Sequence, residues 1–172
     1  MSARRLDANF ARHQLGTASI AIVEFSDFQC PFCSRHALET LPSIKEKLVR
    51  AGKARYIALH YPIEAIHPQA VGAAVAAECA GQKGQFWEMH EKLFGVGKAL
   101  FKEDLVRYAQ ELNLSGSDFT TCMEGAETQQ IVKADRVEAA RLGVKGTPVF
   151  FVGTVRADGT IELLRRINGA TT

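Results

Sequence analysis

An apolar run, Ile20-Ala21-Ile22-Val23-Glu24-Phe25, stops just short of the tetrapeptide Cys30-Pro31-Phe32-Cys33, and a helical pattern follows at once. A run this continuous reads as a strand buried on both faces, so the chain must supply layers on either side of it. Two cysteines two residues apart at a strand-to-helix junction can close a small disulfide ring, with the first sulfur facing outward. Pro31 suits the first helical position, because its missing N–H is an orphan there and its ring presets φ. Cys30 then lies over the free N–H groups and the positive dipole end of the helix, which favours its thiolate. A stable thiolate leaves easily, so a Cys30–Cys33 ring should tend to pass its oxidation on.

The 172 residues suffice for one domain with a proper core, or for one domain carrying an insertion. A composition of 47% hydrophobic and 23% charged residues with a net charge of +2 excludes a disordered acidic or basic chain. Lys and Arg are scattered, so no nucleic-acid footprint is expected. The longest apolar run, Ala70 to Ala80, is alanine-rich, contains Glu78 and is too short to span a bilayer. Met1-Ser2-Ala3-Arg4-Arg5 has no apolar stretch behind it, so no signal peptide is expected. Two compartments stay open: the cytoplasm, or an extracytoplasmic one reached by a trimmed mature form.

Residues 1–19 are mixed and polar and read as a lead-in segment. Glu24, placed in a buried strand before Cys30, should pair with a cation or carry a raised pKa, ready to exchange protons with a nearby sulfur. Beyond Cys33, the apolar positions Ala37, Leu41, Ile44 and Leu48 predict one helix to about Arg50, kinked at Pro42 and closed by Gly52. Arg55 to Tyr61 predicts a second strand, giving a strand-helix-strand unit whose default is a parallel pair. Residues 63–142 then read as helices throughout. Gly146-Thr147-Pro148 opens a second β region, Val149 to Val152, with Asp158-Gly159 as a hairpin turn and Ile161 to Ile167 as the return strand. Strands on both sides of one helical block predict a single sheet, from 1–62 and 143–172, interrupted by a helical insertion at 63–142.

The segment Glu24 to Cys33, together with the distant Gly146-Thr147-Pro148, resembles the DsbA-like thiol-disulfide oxidoreductases of the thioredoxin superfamily. Glu78-Cys79-Ala80-Gly81 and Gly84 to His90 also look like the helical insertion of that family, so the resemblance covers about 16–168. It implies an α/β thioredoxin-like fold, a central mixed sheet flanked by helices, with an all-helical insertion. It further implies a cis bond between Thr147 and Pro148 beside Cys30, Glu24 relaying protons for Cys33, and Pro31, Phe32, Thr147 and Pro148 as substrate contacts. The expected partners are cysteine-containing proteins in the bacterial periplasm, met by a monomer, and a quinone-linked membrane protein that reoxidises the site. No metal or organic cofactor is required.

Two departures stand out. Strongly oxidising members carry histidine where this chain has Phe32, which leaves Cys30 less acidic and opens reductase or isomerase chemistry beside disulfide donation. A final helix after the last strand is expected from the fold, yet the chain stops at Asn168-Gly169-Ala170-Thr171-Thr172, as a fragment or a differently built end would. Related sequences have a cysteine at the places of Cys79 and Cys122, which either form a structural disulfide or stay separate buried thiols. Two other classes compete with exchange: a zinc module, which lacks a second ligand pair, and a chaperone-type binding module on the same fold. His36, one turn beyond Cys33, reads as a surface helix residue.

Overall fold

A computed structural model describes residues 4–169. Met1 to Ala3 at the start of the expected lead-in, and Ala170 to Thr172 of the expected tail, lie outside the described residues. The core is a six-stranded mixed sheet. Its strands are β1 (Arg5–Leu6), β2 (Gln14–Leu15), β3 (Ile20–Ser26), β4 (Arg55–His60), β5 (Val149–Val155) and β6 (Ile161–Asn168), in the order β1-β6-β5-β3-β4-β2. Only the β3–β4 pair is parallel; the other pairings are antiparallel. The lead-in is therefore corrected. It supplies one short strand to each edge of the sheet and buries Leu6 completely. Strands of two residues carry too little alternation to be read from sequence.

Strand β3 divides its side chains by the pleat. Ala21, Val23 and Phe25 face one core with Ile57, Leu59, Phe151 and Ile161, closed by Ala139 and Leu142. The alternate positions, including Glu24 and Ser26, face the other side, where Cys30, Cys33 and Ala58 join the helical core. Glu24 is level with Phe150 on β5 and Ala58 on β4, and Tyr56 is opposite Ile22, so Tyr56 and Glu24 are diagonal neighbours on one face.

The helix after β3 differs from the single kinked one expected. It begins as α1 (Pro31–Arg35), widens into a π turn at His36–Thr40, continues as α2 (Leu41–Ile44) and ends in a second π turn at Lys45–Val49. Pro42 has no N–H to give Leu38, and its ring crowds that carbonyl, so the preceding turn opens until the Leu41 N–H reaches the His36 carbonyl.

The helical block contains α3 (Ala70–Gly81), α4 (Phe86–Gly95), α5 (Lys102–Glu111), α6 (Gly116–Glu124) and α7 (Ala126–Arg141). Alanines at 70, 73, 74, 76, 77 and 80 make α3 thin enough to be buried among its neighbours. Cys79 of α3 and Cys122 of α6 are disulfide-bonded, so the two thiols left open by the sequence are one staple. Helix α7 spans both layers: Val132 packs in the helical core, while Ala139 lies under the sheet's other face.

Strands β5 and β6 form the hairpin expected around Asp158-Gly159, with Gly159 at φ +87°, a conformation that glycine adopts without strain. A bulge at Val152/Gly153 brings Gly153 against the Glu162 backbone, where any side chain would collide with the carbonyl oxygen. The described chain ends on β6 and Gly169.

Candidate active site

Cys30 is the N-cap of α1, with extended backbone (φ −75°, ψ 121°), and Pro31 follows at the first helical position. The residue is only 5% exposed. Asp27 builds the turn that presents it: its carboxylate accepts from the N–H groups of Gln29 (2.7 Å) and Ile63 (2.8 Å) and meets His67 Nδ1 at 2.8 Å. Its carbonyl accepts from the Cys30 N–H at 3.1 Å.

The thiol of Cys33 is the largest influence on Cys30, stabilising its thiolate by a hydrogen bond. Burial opposes this, and the N–H groups of Cys33 and Phe32 add to it, leaving Cys30 near a pKa of about 5. Phe32 is 61% exposed and supplies no charge. The acidity of Cys30 therefore comes from hydrogen bonds and the helix terminus, with no charge added by the side chain between the cysteines. Cys33 is fully buried. Burial first, then its hydrogen bond to Cys30 and the charge of Glu24, push its pKa up, so it stays a thiol in the reduced pair.

The loop before β5 closes the site. The Thr147–Pro148 peptide bond is cis, Pro148 is buried, and Cys30 Sγ lies 3.5 Å from the Thr147 carbonyl oxygen. The Thr147 hydroxyl is buried with no hydrogen-bond partner among the described residues. Pro31 and Phe32, by contrast, are exposed beside Cys30.

Beneath Cys33 lies Glu24, 1% exposed. Burial raises its pKa to about 7 against a hydrogen bond from Tyr56, which lowers it. The Tyr56 hydroxyl donates to Glu24 Oε1 and also meets His36 Nε2 at 2.9 Å. His36 is buried, correcting its expected surface position: the helix face that carries it turns onto the sheet, against Phe150. Tyr56 and His36 were not legible as site residues, although Tyr56 occupies the side-chain face of β4 shared with Glu24.

A second polar cluster ties the lead-in to the helices. Arg12 pairs bidentately with Asp135 (3.0 and 2.8 Å) and reaches Glu78 at 3.2 Å; His13 and His60 both meet Glu78 Oε2, at 2.7 and 2.8 Å. Burial would raise Glu78, but the hydrogen bonds of both histidines and the charges of His60 and Arg12 outweigh it and hold Glu78 well below the usual carboxylate range.

The thioredoxin family model matches residues 15–167. Among solved structures, the Wolbachia pipientis alpha-DsbA1 superposes with a TM-score of 0.72 at 25% identity, covering 82% of this chain and 74% of that one. A thioredoxin-like oxidoreductase from Silicibacter pomeroyi gives 0.68 at 26% identity, covering 87% and 79%. BdbD of Bacillus subtilis gives 0.78 at 19% identity, covering 87% and 85%, a likeness of fold. A curated relative from Salinispora tropica, named a Na(+)/H(+) antiporter NhaA 3, is 38% identical over 147 residues, which are 85% of this chain and 22% of that protein. A Herminiimonas arsenicoxydans protein named Na(+)/H(+) antiporter NhaA is 31% identical over 145 residues, again 22% of its length. The chain thus spans about a fifth of the curated relatives it matches, whose names describe much longer proteins. With the family model over most of its length and the fold of DsbA around its Cys30–Cys33 pair, the chain belongs to the thioredoxin family as a DsbA-like member.

Proposed function

We propose that this chain is a protein thiol-disulfide oxidoreductase in which Cys30 exchanges disulfides with cysteine-containing substrates, working as a disulfide donor. The observation that carries the reading is the asymmetry of the pair: an acidic Cys30 at the helix terminus and a fully buried Cys33 pushed up in pKa. A substrate thiolate attacks Cys30 Sγ of the oxidised ring, and the Cys30–Cys33 bond breaks with Cys33 as leaving group. Glu24 protonates Cys33. The substrate's second thiolate then attacks the substrate sulfur of the mixed disulfide, forming the substrate disulfide and releasing Cys30 as the favoured thiolate. Thr147 and Pro148 hold the incoming segment along the cis loop, and Pro31 and Phe32 flank it.

The same reading gives residues 1–62 and 143–172 the redox scaffold, and 63–142 the insertion that covers one side of it. The proposed setting is the periplasm, with a monomer reoxidised by a quinone-linked membrane protein. The ion transport in the curated relatives' names is not carried over, because the matched region is a fifth of those proteins. Reductase or isomerase chemistry is the second reading, favoured by the uncharged Phe32 between the cysteines.

The test mixes the oxidised protein with reduced, unfolded ribonuclease and follows disulfides formed in the substrate. Stoichiometric donation that disappears in Cys30→Ser supports the donor. Failure to donate, with reduction of insulin instead, supports the second reading.

A further inference from the structure

One buried chain of groups is unused by the reaction as described. Tyr56 on β4 donates its single hydroxyl proton to Glu24 Oε1, so its oxygen can meet His36 Nε2 only as an acceptor. His36 is therefore fixed with a proton on Nε2. Burial keeps its pKa low, at about 4, so it is neutral, and its 3.9 Å approach to Glu24 Oε1 is no ion pair. Burial also raises Tyr56 well above its ordinary value, so it remains a donor across the working range. The other carboxylate oxygen, Glu24 Oε2, is buried and has no hydrogen-bond partner among the described residues. One oxygen of Glu24 is thus held, and the other is free to take a proton.

We propose that Tyr56 and His36 are positioning residues of the exchange reaction, holding Glu24 in one hydrogen-bonded chain and setting the pH at which it accepts the Cys33 proton. The inference rests on the reading above that Glu24 serves Cys33. Consider closure of the ring from a mixed disulfide. Cys33 gives its proton to the Glu24 carboxylate and its sulfur attacks Cys30 Sγ; the Cys30–substrate bond breaks and the substrate sulfur leaves with the electron pair as a thiolate. Charge and electrons balance: one carboxylate is lost, one thiolate appears, and one disulfide replaces another. A donor to Glu24 Oε1 stabilises the carboxylate, and donation from His36 into the Tyr56 oxygen strengthens that donor.

The charged and titratable groups around the chain are few. Cys33 and Cys30 on α1 couple to Glu24 electrostatically, Cys30 raising it and Glu24 raising Cys33. On the outer side, Lys45, from the second π turn, acts electrostatically on His90 of α4. None of these offers Glu24 the hydrogen bond that Tyr56 supplies.

The experiment mixes reduced protein with a large excess of oxidised glutathione, which forms the Cys30 mixed disulfide, and counts mixed-disulfide and ring-closed forms by mass after acid quenching, over a range of pH. For the native protein the ring-closure rate should rise to a plateau with its midpoint near 7, where Glu24 ionises. In Tyr56→Phe the midpoint should move up by about one pH unit or more, since a hydrogen bond to a charged group is lost. His36→Leu should move it the same way by less, His36→Gln, which keeps a donor, should restore it, and in the Tyr56→Phe background His36→Leu should add nothing. Circular dichroism and thermal melting verify folding, and His36→Leu tests the chain from a second element if Tyr56→Phe does not fold. Glu24→Gln separates the two claims. If it leaves the midpoint in place, Glu24 does not serve Cys33 and both fail. If it abolishes the pH dependence while Tyr56→Phe and His36→Leu leave the midpoint unmoved, this inference alone is overturned.

Discussion

The sulfur of Cys30 lies 3.5 Å from the carbonyl oxygen of Thr147, a residue 117 positions further along the chain. Strands β3 and β5 are hydrogen-bonded neighbours running antiparallel, so the ends that carry these two residues meet at one end of the sheet. Thr147 faces Cys30 with its backbone carbonyl, which accepts from the thiol, while its buried hydroxyl has no hydrogen-bond partner among the described residues.

Because the contact runs through the Thr147 backbone, Thr147→Val should leave the Cys30 titration where it is. A rise of about half to one pH unit, the value of a single hydroxyl hydrogen bond, would contradict this. Ultraviolet thiolate absorbance, titrated in a Cys33→Ser background and compared with the same background carrying Thr147, reads it. An unchanged value would show that the backbone, and not the hydroxyl, makes the contact.

Glu24 should make stability fall as pH rises. Its pKa goes from an ordinary 4.5 to about 7 in the folded chain, so the protonated form is the one the fold favours. Its contribution is fully present below about 4.5 and is lost as pH rises through 7. Glu24→Gln should then stabilise the reduced protein by about 3 kcal/mol at alkaline pH and by little in acid. Urea unfolding of both forms at the two extremes is the measurement; an equal effect at both would contradict the linkage.

The Cys79–Cys122 bond closes a separation of 43 residues within the helical block. Replacing both cysteines by alanine should cost about 4 kcal/mol in the chain-entropy account. The Cys30 thiolate titration should stay where it was, because the staple joins α3 to α6 away from the redox pair. Parallel unfolding and titration of the variant test both halves.

Glu78 works in the opposite sense to Glu24. Held low by His13, His60 and Arg12, it stabilises the fold above its ordinary pKa of 4.5 and loses that contribution as pH falls below it. Glu78→Gln should destabilise by about 3 kcal/mol or more at neutral pH, since Arg12 and the histidines keep their burial and lose their counter-charge. The loss should shrink in acid, which acid and neutral melting curves will show.

The redox pair, the parallel unit and the late hairpin were legible because each has a short local signature: an apolar run, a C-x-x-C and an Asp-Gly turn. Helices α3 to α7 all fall in the block read as helical over 63–142, and α6 opens on Ser115, whose hydroxyl accepts from the Asp118 N–H at 3.3 Å. What was hidden depends on tertiary register. Tyr56 reads as one apolar position of a strand until β3 and β4 are aligned. His36 reads as a polar helix residue until the π turn sets its face. The lead-in strands exist only because β6 and β4 offer them edges, and the Arg12, His13, Glu78 and Asp135 cluster joins residues up to 123 apart.

The most direct test of the donor reading is the equilibrium of the Cys30–Cys33 pair against glutathione, read by mass-tagging free thiols with Cys79 and Cys122 counted separately. A favoured Cys30 thiolate stabilises the reduced form, so the pair should be reduced even in a mildly oxidising buffer. A pair that stays oxidised until the buffer is strongly reducing would contradict the account, because such a ring holds its disulfide too firmly to donate it.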